Sequence, residues 1–128
     1  MLSKQISVFI ENREGRLGEV LGVLKDNSVN ILSLSLADTS DYGLLRIIVD
    51  NPEKGVDALV KQGFSAKVSE ILIVEIQHTP GALQSLVEKL AQNGVNIEYM
   101  YGLSERDKTA SVIIKCNDLQ KAETILNK

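Results

Sequence analysis

Cysteine, histidine and long apolar runs are scarce in this chain of 128 residues, and each scarcity excludes a class of protein. The single cysteine, Cys116, cannot form an internal disulfide, and its apolar surroundings predict a core residue. The single histidine, His78, has no Cys or His neighbour at zinc-ligand spacing. The longest apolar run, Ile71 to Val74, is far shorter than the roughly 20 residues that span a bilayer. With no signal-peptide core in MLSKQISVFIEN, the sequence predicts a cytoplasmic protein without metal, cofactor or membrane partner.

Basic charge and aromatic side chains are too few for nucleic-acid binding. Fourteen Lys and Arg against seventeen Asp and Glu give a net charge of -3, and aromatic residues make up 4% of the chain. The basic footprint expected of a nucleic-acid binder is therefore missing. The apolar segments LLRIIVD and ASVIIKC contain no aromatic residue on which a base could stack, and no Cys-x-x-Cys pair is available to carry a metal. The composition, 44% hydrophobic, indicates an acidic globular protein.

What the sequence does contain is an internal repeat. A shift of 66 positions aligns Val8–Asn51 with Val74–Asn117 without a gap, and 13 of the 44 pairs are identical. Ordinary composition would give roughly three. Within this alignment, ENREGRLGEVLGVLKDNSVNI matches QHTPGALQSLVEKLAQNGVNI. The sequence therefore predicts two copies of one unit, which we divide into residues 1–69 and 70–128.

Each copy begins with a strand and a helix. Apolar residues alternate along the first strand at Ile6, Val8 and Ile10. The following apolar residues recur at i, i+3, i+4 and i+7, which predicts an amphipathic helix. They are Leu17, Val20, Leu21 and Leu24 in the first copy, and Leu83, Leu86, Val87 and Leu90 in the second. The helices end at Asn27-Ser28 and Asn93-Gly94, where we expect Asn27 to adopt the left-handed conformation that Gly94 provides in the second copy.

A hairpin and a second helix follow. Ile31–Ala37 and Leu44–Val49 are predicted strands, joined by the polar turn DTSDYG. Asn51 and Pro52 are typical of the N-cap and first residue of a helix. The apolar positions of this helix are Val56, Leu59 and Val60, echoed by Ala122, Ile125 and Leu126. The segment FSAKVSEILIVEIQ then supplies the last strand of the first copy and the first strand of the second.

The order strand, helix, strand, strand, helix, strand predicts a ferredoxin-like unit, with a four-stranded antiparallel sheet and both helices on one face. The predicted fold class is α+β, with two βαββαβ units. Lys128 aligns with Gln62, so the second copy lacks residues that would match Phe64 to Ser69. The second unit is therefore predicted to lack its last strand. Either this leaves a sheet edge that something else must cover, or a natural tail is absent from this sequence.

The segments that both copies share resemble the ACT domain family. ENREGRL with NSVNI in the first copy, and HTPGAL with NGVNI in the second, match a family pattern of a first strand, N-R-P-G-x-L or a near variant, and then G-V-N-I. The resemblance covers nearly the whole chain as a tandem pair. It implies an allosteric regulatory protein, not an enzyme, that binds a small molecule, usually an amino acid, at an interface between ACT domains.

The resemblance also implies the ligand-binding residues. A glycine turn leaves unpaired N–H groups at a helix N-terminus, where a carboxylate can bind, and an Asn side chain can pair with an α-amino group. Glu14 stands where the family pattern has proline and brings a negative charge close to that carboxylate. The residues assigned in the first copy are Asn12, Arg13, Glu14, Gly15, Arg16, Leu17, Asn30 and Ile31. Those in the second copy are His78, Thr79, Pro80, Gly81, Ala82, Leu83, Asn96 and Ile97.

The implied protein is a homodimer that acts in trans, for example on an enzyme of amino-acid metabolism, because the chain has no catalytic domain to regulate. Two alternatives stay open. The first is a protein-interaction or oligomerisation module that binds no ligand. The second is an acylphosphatase-like enzyme in which Arg13 or Arg16 binds phosphate and Asn30 holds a water. The second copy lacks both arginines, and no nucleophile, base or metal constellation accompanies them, which argues against catalysis.

Overall fold

The computed structural model of the chain describes residues 1–38, 41–105 and 108–127. Thr39 and Ser40 of the predicted turn, and Lys128, lie outside the described residues. The fold class is α+β, as predicted. The elements are β1 (Leu2–Glu11), α1 (Arg16–Asp26), β2 (Ile31–Asp38), β3 (Tyr42–Val49), α2 (Pro52–Lys61), β4 (Ser65–Gln77), α3 (Ala82–Gln92), β5 (Ile97–Glu105), β6 (Thr109–Cys116) and α4 (Leu119–Leu126). None of the helices described is both long and apolar enough to cross a membrane.

The chain forms two compact units. We call Lys4–Ser69 the first unit, and Met1–Ser3 together with Glu70–Lys128 the second unit. The first unit has the strand order β2-β3-β1-β4, with antiparallel pairing of β3 to both β1 and β2. In the second unit β6 pairs antiparallel with both β4 and β5. Two helices accompany each set of strands, so the predicted ferredoxin-like arrangement is confirmed.

The helices bury the apolar stripe that the sequence predicts. In the first unit Val20 and Leu24 of α1 are fully buried against Ile6 and Val8 of β1. Complete burial of such a side chain stabilises the fold by about 1.5–3 kcal/mol. The second unit has the same kind of core, which includes Cys116. Burial raises the pKa of the Cys116 thiol, so this residue is a core side chain, as predicted, and not a reactive thiolate.

The ends of the helices follow the predicted chemistry with one exception. The Asn51 side chain accepts a hydrogen bond of 3.2 Å from the Lys54 N–H at the start of α2, which confirms the predicted N-cap. The prediction for Asn27 is wrong, because Ser28 adopts the left-handed conformation with φ 57° while Asn27 has φ -101°. The Asn27 side chain instead donates to the Val23 carbonyl at 2.8 Å. Asn27 therefore ends α1 through its amide group.

The predicted gapless alignment of the two copies is wrong beyond β5. Leu34 of β2 pairs with Ile47 of β3. Its counterpart Met100, 66 residues later, pairs with Ile114 and not with Ile113, which the alignment matches to Ile47. From β6 onward the structural offset between the copies is therefore 67 residues, one more than the sequence alignment gives.

The additional residue is Leu103. The β5–β6 pairing shifts register between Gly102 and Ser104, at a point where β2 and β3 show no shift. A β-bulge of this kind accommodates one extra residue in one strand. As a consequence, the structural counterpart of Leu59 is Leu126, and the predicted match between the apolar positions of α2 and α4 is wrong by one residue.

The first residues of the chain lie beside β4 in the second unit. The Ile73 N–H donates to the Met1 carbonyl at 2.9 Å, and the Met1 nitrogen donates to the Ile73 carbonyl at 3.0 Å. The Leu2 N–H donates to the Glu123 carboxylate of α4 at 3.0 Å. Met1–Ser3, which the predicted domain division groups with the first copy, thus belongs to the second unit and lies beside β4.

Candidate ligand-binding site

The turn between β1 and α1 in the first unit contains most of the predicted site residues. Asn12 follows β1 and donates its backbone N–H to the Asp41 carbonyl at 3.0 Å. Gly15 precedes α1 with φ 83°, a left-handed conformation that glycine adopts without strain. Within the described residues no side chain caps α1. The first N–H of the helix, that of Arg16, donates to the Arg13 carbonyl at 3.4 Å, and among the described residues the N–H groups of the next two positions are available to an anionic ligand.

The turn between β4 and α3 in the second unit repeats this geometry. Gly81 has φ 85°, and in the described part of the chain no side chain caps the start of α3. His78 donates its backbone N–H to the Lys108 carbonyl at 2.9 Å, as Asn12 does to its partner. His78 therefore holds the position that Asn12 holds in the first unit. Its imidazole Nε2 lies 3.3 Å from a carboxylate oxygen of Glu105, and both side chains are exposed.

A cavity of about 80 Å³ adjoins the first turn. Three predicted site residues, Asn12, Arg13 and Leu17, line it, together with Ile10 and Glu11 from the end of β1.

Leu36 and Gly43 complete the lining of this cavity and were not predicted. They come from β2 and β3, which the short sequence pattern does not include. A Cβ atom at Gly43 would lie 3.3 Å from both Ile10 and Leu36, so the absence of a side chain keeps this space open. The sequence pattern assigned Gly43 to the turn DTSDYG, whereas it lies inside β3, where a glycine often marks such a close approach.

Arg13 and Arg16 are already engaged within the first unit. The Arg13 Nε donates to the Glu11 carboxylate at 3.0 Å. The Arg16 guanidinium lies 4.3 Å from the centroid of the Phe64 ring and is paired with Glu19. Arg16 therefore packs against its own unit, which does not favour the phosphate-binding role considered for an acylphosphatase-like enzyme.

Asn30 and Ile31 lie at the other end of the sheet from Asn12. β1 ends at Glu11, which pairs with Tyr42, whereas Ile31 pairs with Val49. Seven residue steps along β3 separate these two points, which corresponds to roughly 23 Å at about 3.3 Å per residue. One unit therefore does not bring Asn12 and Asn30 together.

The second unit shows the same separation. Gln77, just before His78, pairs with Thr109, while Ile97, just after Asn96, pairs with Cys116, again seven steps along the shared strand β6. His78 and Asn96 thus lie at opposite ends of their sheet.

The backbone at Asn30 and Asn96 is held by a residue at the end of the neighbouring strand. The Asn30 N–H donates to an Asp50 carboxylate oxygen at 3.0 Å, and the Asp50 N–H donates to the Asn30 carbonyl at 3.1 Å. Asn117 makes the same two bonds to Asn96, at 3.0 and 3.2 Å. Asp50 and Asn117 were not predicted, because the one-residue offset aligns Asn117 with Asn51. The side chains of Asn30 and Asn96 are exposed.

Comparison with known proteins places this pair of units in a family. The family model for the ACT domain pair matches residues 1–128. A solved structure of protein BT0572 from Bacteroides thetaiotaomicron has a TM-score of 0.94 and 35% identity, covering 99% of this chain and 88% of that one. The chain belongs to the ACT domain pair family.

Two further solved structures share the fold. The ligand-free regulatory subunit of aspartate kinase from Thermus thermophilus has a TM-score of 0.71 and 19% identity, covering 99% of this chain and 93% of that one. The regulatory subunit of aspartate kinase from Thermus flavus has a TM-score of 0.69 and 21% identity, covering 99% and 92%. No curated protein matches the chain.

Proposed function

We propose that this protein is a regulatory protein that binds an amino acid at an interface between ACT domains and acts in trans on a partner. The observation that carries the proposal is that each unit presents two separate sets of site residues. One set, at Asn12 or His78, accompanies an uncapped helix start, and the other, at Asn30 or Asn96, lies at the opposite end of the sheet. A ligand that contacts both sets must therefore lie between two ACT domains.

The size of the cavity supports an interface site. Small-molecule sites occupy about 300–1,000 Å³, whereas the cavity beside Asn12 has about 80 Å³. The first unit by itself thus offers only part of a ligand site, and a second domain has to supply the remaining walls.

Antiparallel contact between β2 strands of two copies of the chain would supply these walls in a homodimer. β2 is an edge strand of the first unit, and its leucines Leu32, Leu34 and Leu36 are 51%, 46% and 46% exposed. An exposed apolar edge strand favours pairing with another chain. Because such pairing sets the start of one β2 beside the end of the other, Asn30 of one copy would approach Asn12 of its partner.

The chemistry of the two sets suits a free amino acid. The N–H groups at the start of α1 would bind the carboxylate. The side-chain oxygens of Asn12 and Asn30 would accept hydrogen bonds from the ammonium group. Leu17 and Leu36 in the cavity wall would contact the ligand's side chain. Glu14, beside the helix start, would weaken binding of the carboxylate in the first unit relative to the second.

Regulation would follow from a difference in affinity between two arrangements of the domains. A ligand that fills the interface favours the arrangement in which the interface is closed. A partner that binds the resulting surface then binds more tightly or more weakly than before. The similarity to regulatory subunits of aspartate kinase supports a partner among the enzymes of amino-acid metabolism. The exposed leucines of β2 also favour a second candidate function, an oligomerisation module that binds no ligand.

A thermal-shift screen against the twenty amino acids tests ligand binding. A ligand at a hundred times its dissociation constant adds about 2.7 kcal/mol to stability, which for a chain of this size raises Tm by several degrees. We expect at least one amino acid to do so. If none raises Tm, the proposal of amino-acid binding is wrong and the oligomerisation module is the better explanation.

Variants then locate the site of an amino acid that raises Tm. Asn12→Ala and Asn30→Ala should abolish the rise in Tm that is due to ligand bound at the first unit, and Asn96→Ala the rise that is due to ligand bound at the second. Unchanged shifts in all three variants would contradict the site.

Dimer formation through β2 has its own test. Leu34→Glu places a charge in the middle of the exposed leucine row and is expected to convert a dimer into a monomer. The free energy needed to bury an unpaired carboxylate is far larger than the free energy gained from the apolar contact. Light scattering coupled to size-exclusion chromatography measures the mass directly. Val60→Glu, which changes another exposed aliphatic residue on α2, is the matched control. A dimer that persists in Leu34→Glu would show that β2 is not the interface.

A further inference from the structure

The second unit has an open apolar cleft that shares a single lining residue, Ala82, with the predicted ligand site. It has a volume of about 350 Å³ and lies between β4, α3 and the end of α4. Its apolar lining includes Val74 and Ile76 of β4, Leu86 of α3 and Leu126 of α4. Three of these four side chains are partly exposed.

The first unit shows what fills the corresponding space. The counterparts of the four lining residues are Val8, Ile10, Val20 and Leu59, and all of them are buried. They are covered by the segment that follows α2. Phe64 is buried in the same core cluster, and Ala66 and Val68 of β4 pack against it. Among the described residues, the core cluster of the second unit contains no equivalent of Phe64.

A strand edge runs along the cleft. The reciprocal hydrogen bonds between Met1 and Ile73 are those of an antiparallel pair, so the residues after Met1 run beside those before Ile73. Val74–Gln77 extend past this pair. Because alternate residues direct their peptide groups to the same side, those of Glu75 and Gln77 point away from β6, as those of Ile73 do. Among the described residues, β1 is the neighbour of β4 on this side, and its pairing with this edge reaches Ile73 but not Val74–Gln77.

We propose that the cleft binds an extended segment of a partner polypeptide. The segment adds a strand beside Glu75 and Gln77 and places an aromatic side chain against Leu126, in the way that Phe64 covers Leu59 in the first unit. A polypeptide is the occupant that matches both features, because its peptide groups satisfy the strand edge while its side chains fill the apolar lining. The chain itself provides an example of the required sequence at Gly63–Ala66, GFSA, which is as long as the free edge Val74–Gln77 and does not overlap the place of Met1–Ser3.

The probe for this proposal is a fluorescein-labelled peptide of that sequence, added to the full-length protein and followed by fluorescence anisotropy. We expect saturable binding. The peptide with Phe64→Ala should bind at least about tenfold more weakly, since it loses the burial of a large aromatic side chain. Failure of the wild-type peptide to bind up to about 1 mM, an affinity near the lower limit of useful recognition, would overturn the proposal. Equal binding of the two peptides would also overturn it.

Variants of the protein locate the binding site. Ile76→Glu places a charge on the floor of the cleft and is expected to abolish binding, whereas Val60→Glu on the surface of α2 should not change it. Equal peptide affinity in these two variants would place the peptide elsewhere and reject the cleft. Circular dichroism checks that both proteins are folded.

A variant expected to increase the affinity for the peptide tests the cleft even if Ile76→Glu does not fold. Ala82 lines the cleft at the position of Arg16, whose guanidinium stacks on Phe64 in the first unit. Ala82→Arg is therefore expected to tighten binding of the wild-type peptide by about two- to fivefold, the contribution of a cation–π contact. It should not tighten binding of the Phe64→Ala peptide. An unlabelled second copy of the protein that displaces the peptide would instead identify self-association as the use of the cleft and overturn the partner proposal.

Discussion

Leu24→Ala is expected to lower the free energy of unfolding by about 2–5 kcal/mol, the range for a large aliphatic side chain removed from a well-packed core. Leu24 is fully buried on α1 and belongs to the core cluster of the first unit, with Ile6 and Leu59. The loss combines the transfer free energy of the removed atoms with the cavity that they leave, because strands and a second helix surround the site and limit its collapse. Urea unfolding followed by circular dichroism measures the change.

Two further variants separate burial from helix propensity. Leu90→Ala changes the counterpart of Leu24 in the second unit, which is also fully buried, and should have a cost in the same range. Val60→Ala removes an aliphatic side chain that is 54% exposed on α2, and its effect should stay within about 0.5 kcal/mol. A loss below about 1 kcal/mol for Leu24→Ala would contradict the packing described for α1.

The parts of the fold that the sequence predicts are those governed by local patterns. The buried pair Val20 and Leu24 follows from helical periodicity, and the cap at Asn51 follows from the hydrogen-bonding capacity of one side chain. Such features depend on a few neighbouring residues. The duplication of the pattern then makes the ferredoxin-like topology predictable for both units.

The offset between the copies shows where local patterns fail. Ile47 and Ile48 align with Ile113 and Ile114 at the sequence offset, so identical residues conceal the extra residue Leu103. In a run of apolar residues a shift of one position costs no similarity. The pairing of β6 with both β4 and β5 reveals it.

The residues of the candidate site were predictable only where a local sequence motif contains them. The glycine turns at Gly15 and Gly81 are encoded by a short motif. The cavity wall at Leu36 and Gly43 depends on the pairing of β2 with β3, which brings distant residues to the end of β1. The separation of Asn12 from Asn30 likewise follows from the crossover between β1 and β2. Conversely, the alternation of leucine and serine along β2 predicts a strand but not that its leucines are the exposed residues.

Gly55→Val is expected to destabilise the protein by about 1–3 kcal/mol, the usual cost of overpacking a core. Gly55 is buried in α2, where it allows the helix to lie close to β1. A Cβ atom at this position would lie 2.9 Å from the Ile6 side chain and 3.5 Å from those of Leu24 and Val29. Valine adds two further methyl groups to a space that one carbon already overfills. The effect is measurable as a lower urea midpoint with an unchanged denaturant dependence.

A matched substitution on α1 distinguishes this steric effect from helix propensity. A Cβ atom at Gly22 would meet no atom within 4 Å, so Gly22→Val should change stability by only a few tenths of a kcal/mol, in the favourable direction. The second unit has Ala122 at the structural position of Gly55 and Leu72 at that of Ile6, which indicates that the shape of the facing side chain sets the requirement for glycine. Ile6→Val removes the atom nearest to the added Cβ, so the double variant with Gly55→Val should lose less stability than the two single variants together. Strict additivity would show that the clash lies elsewhere on α2.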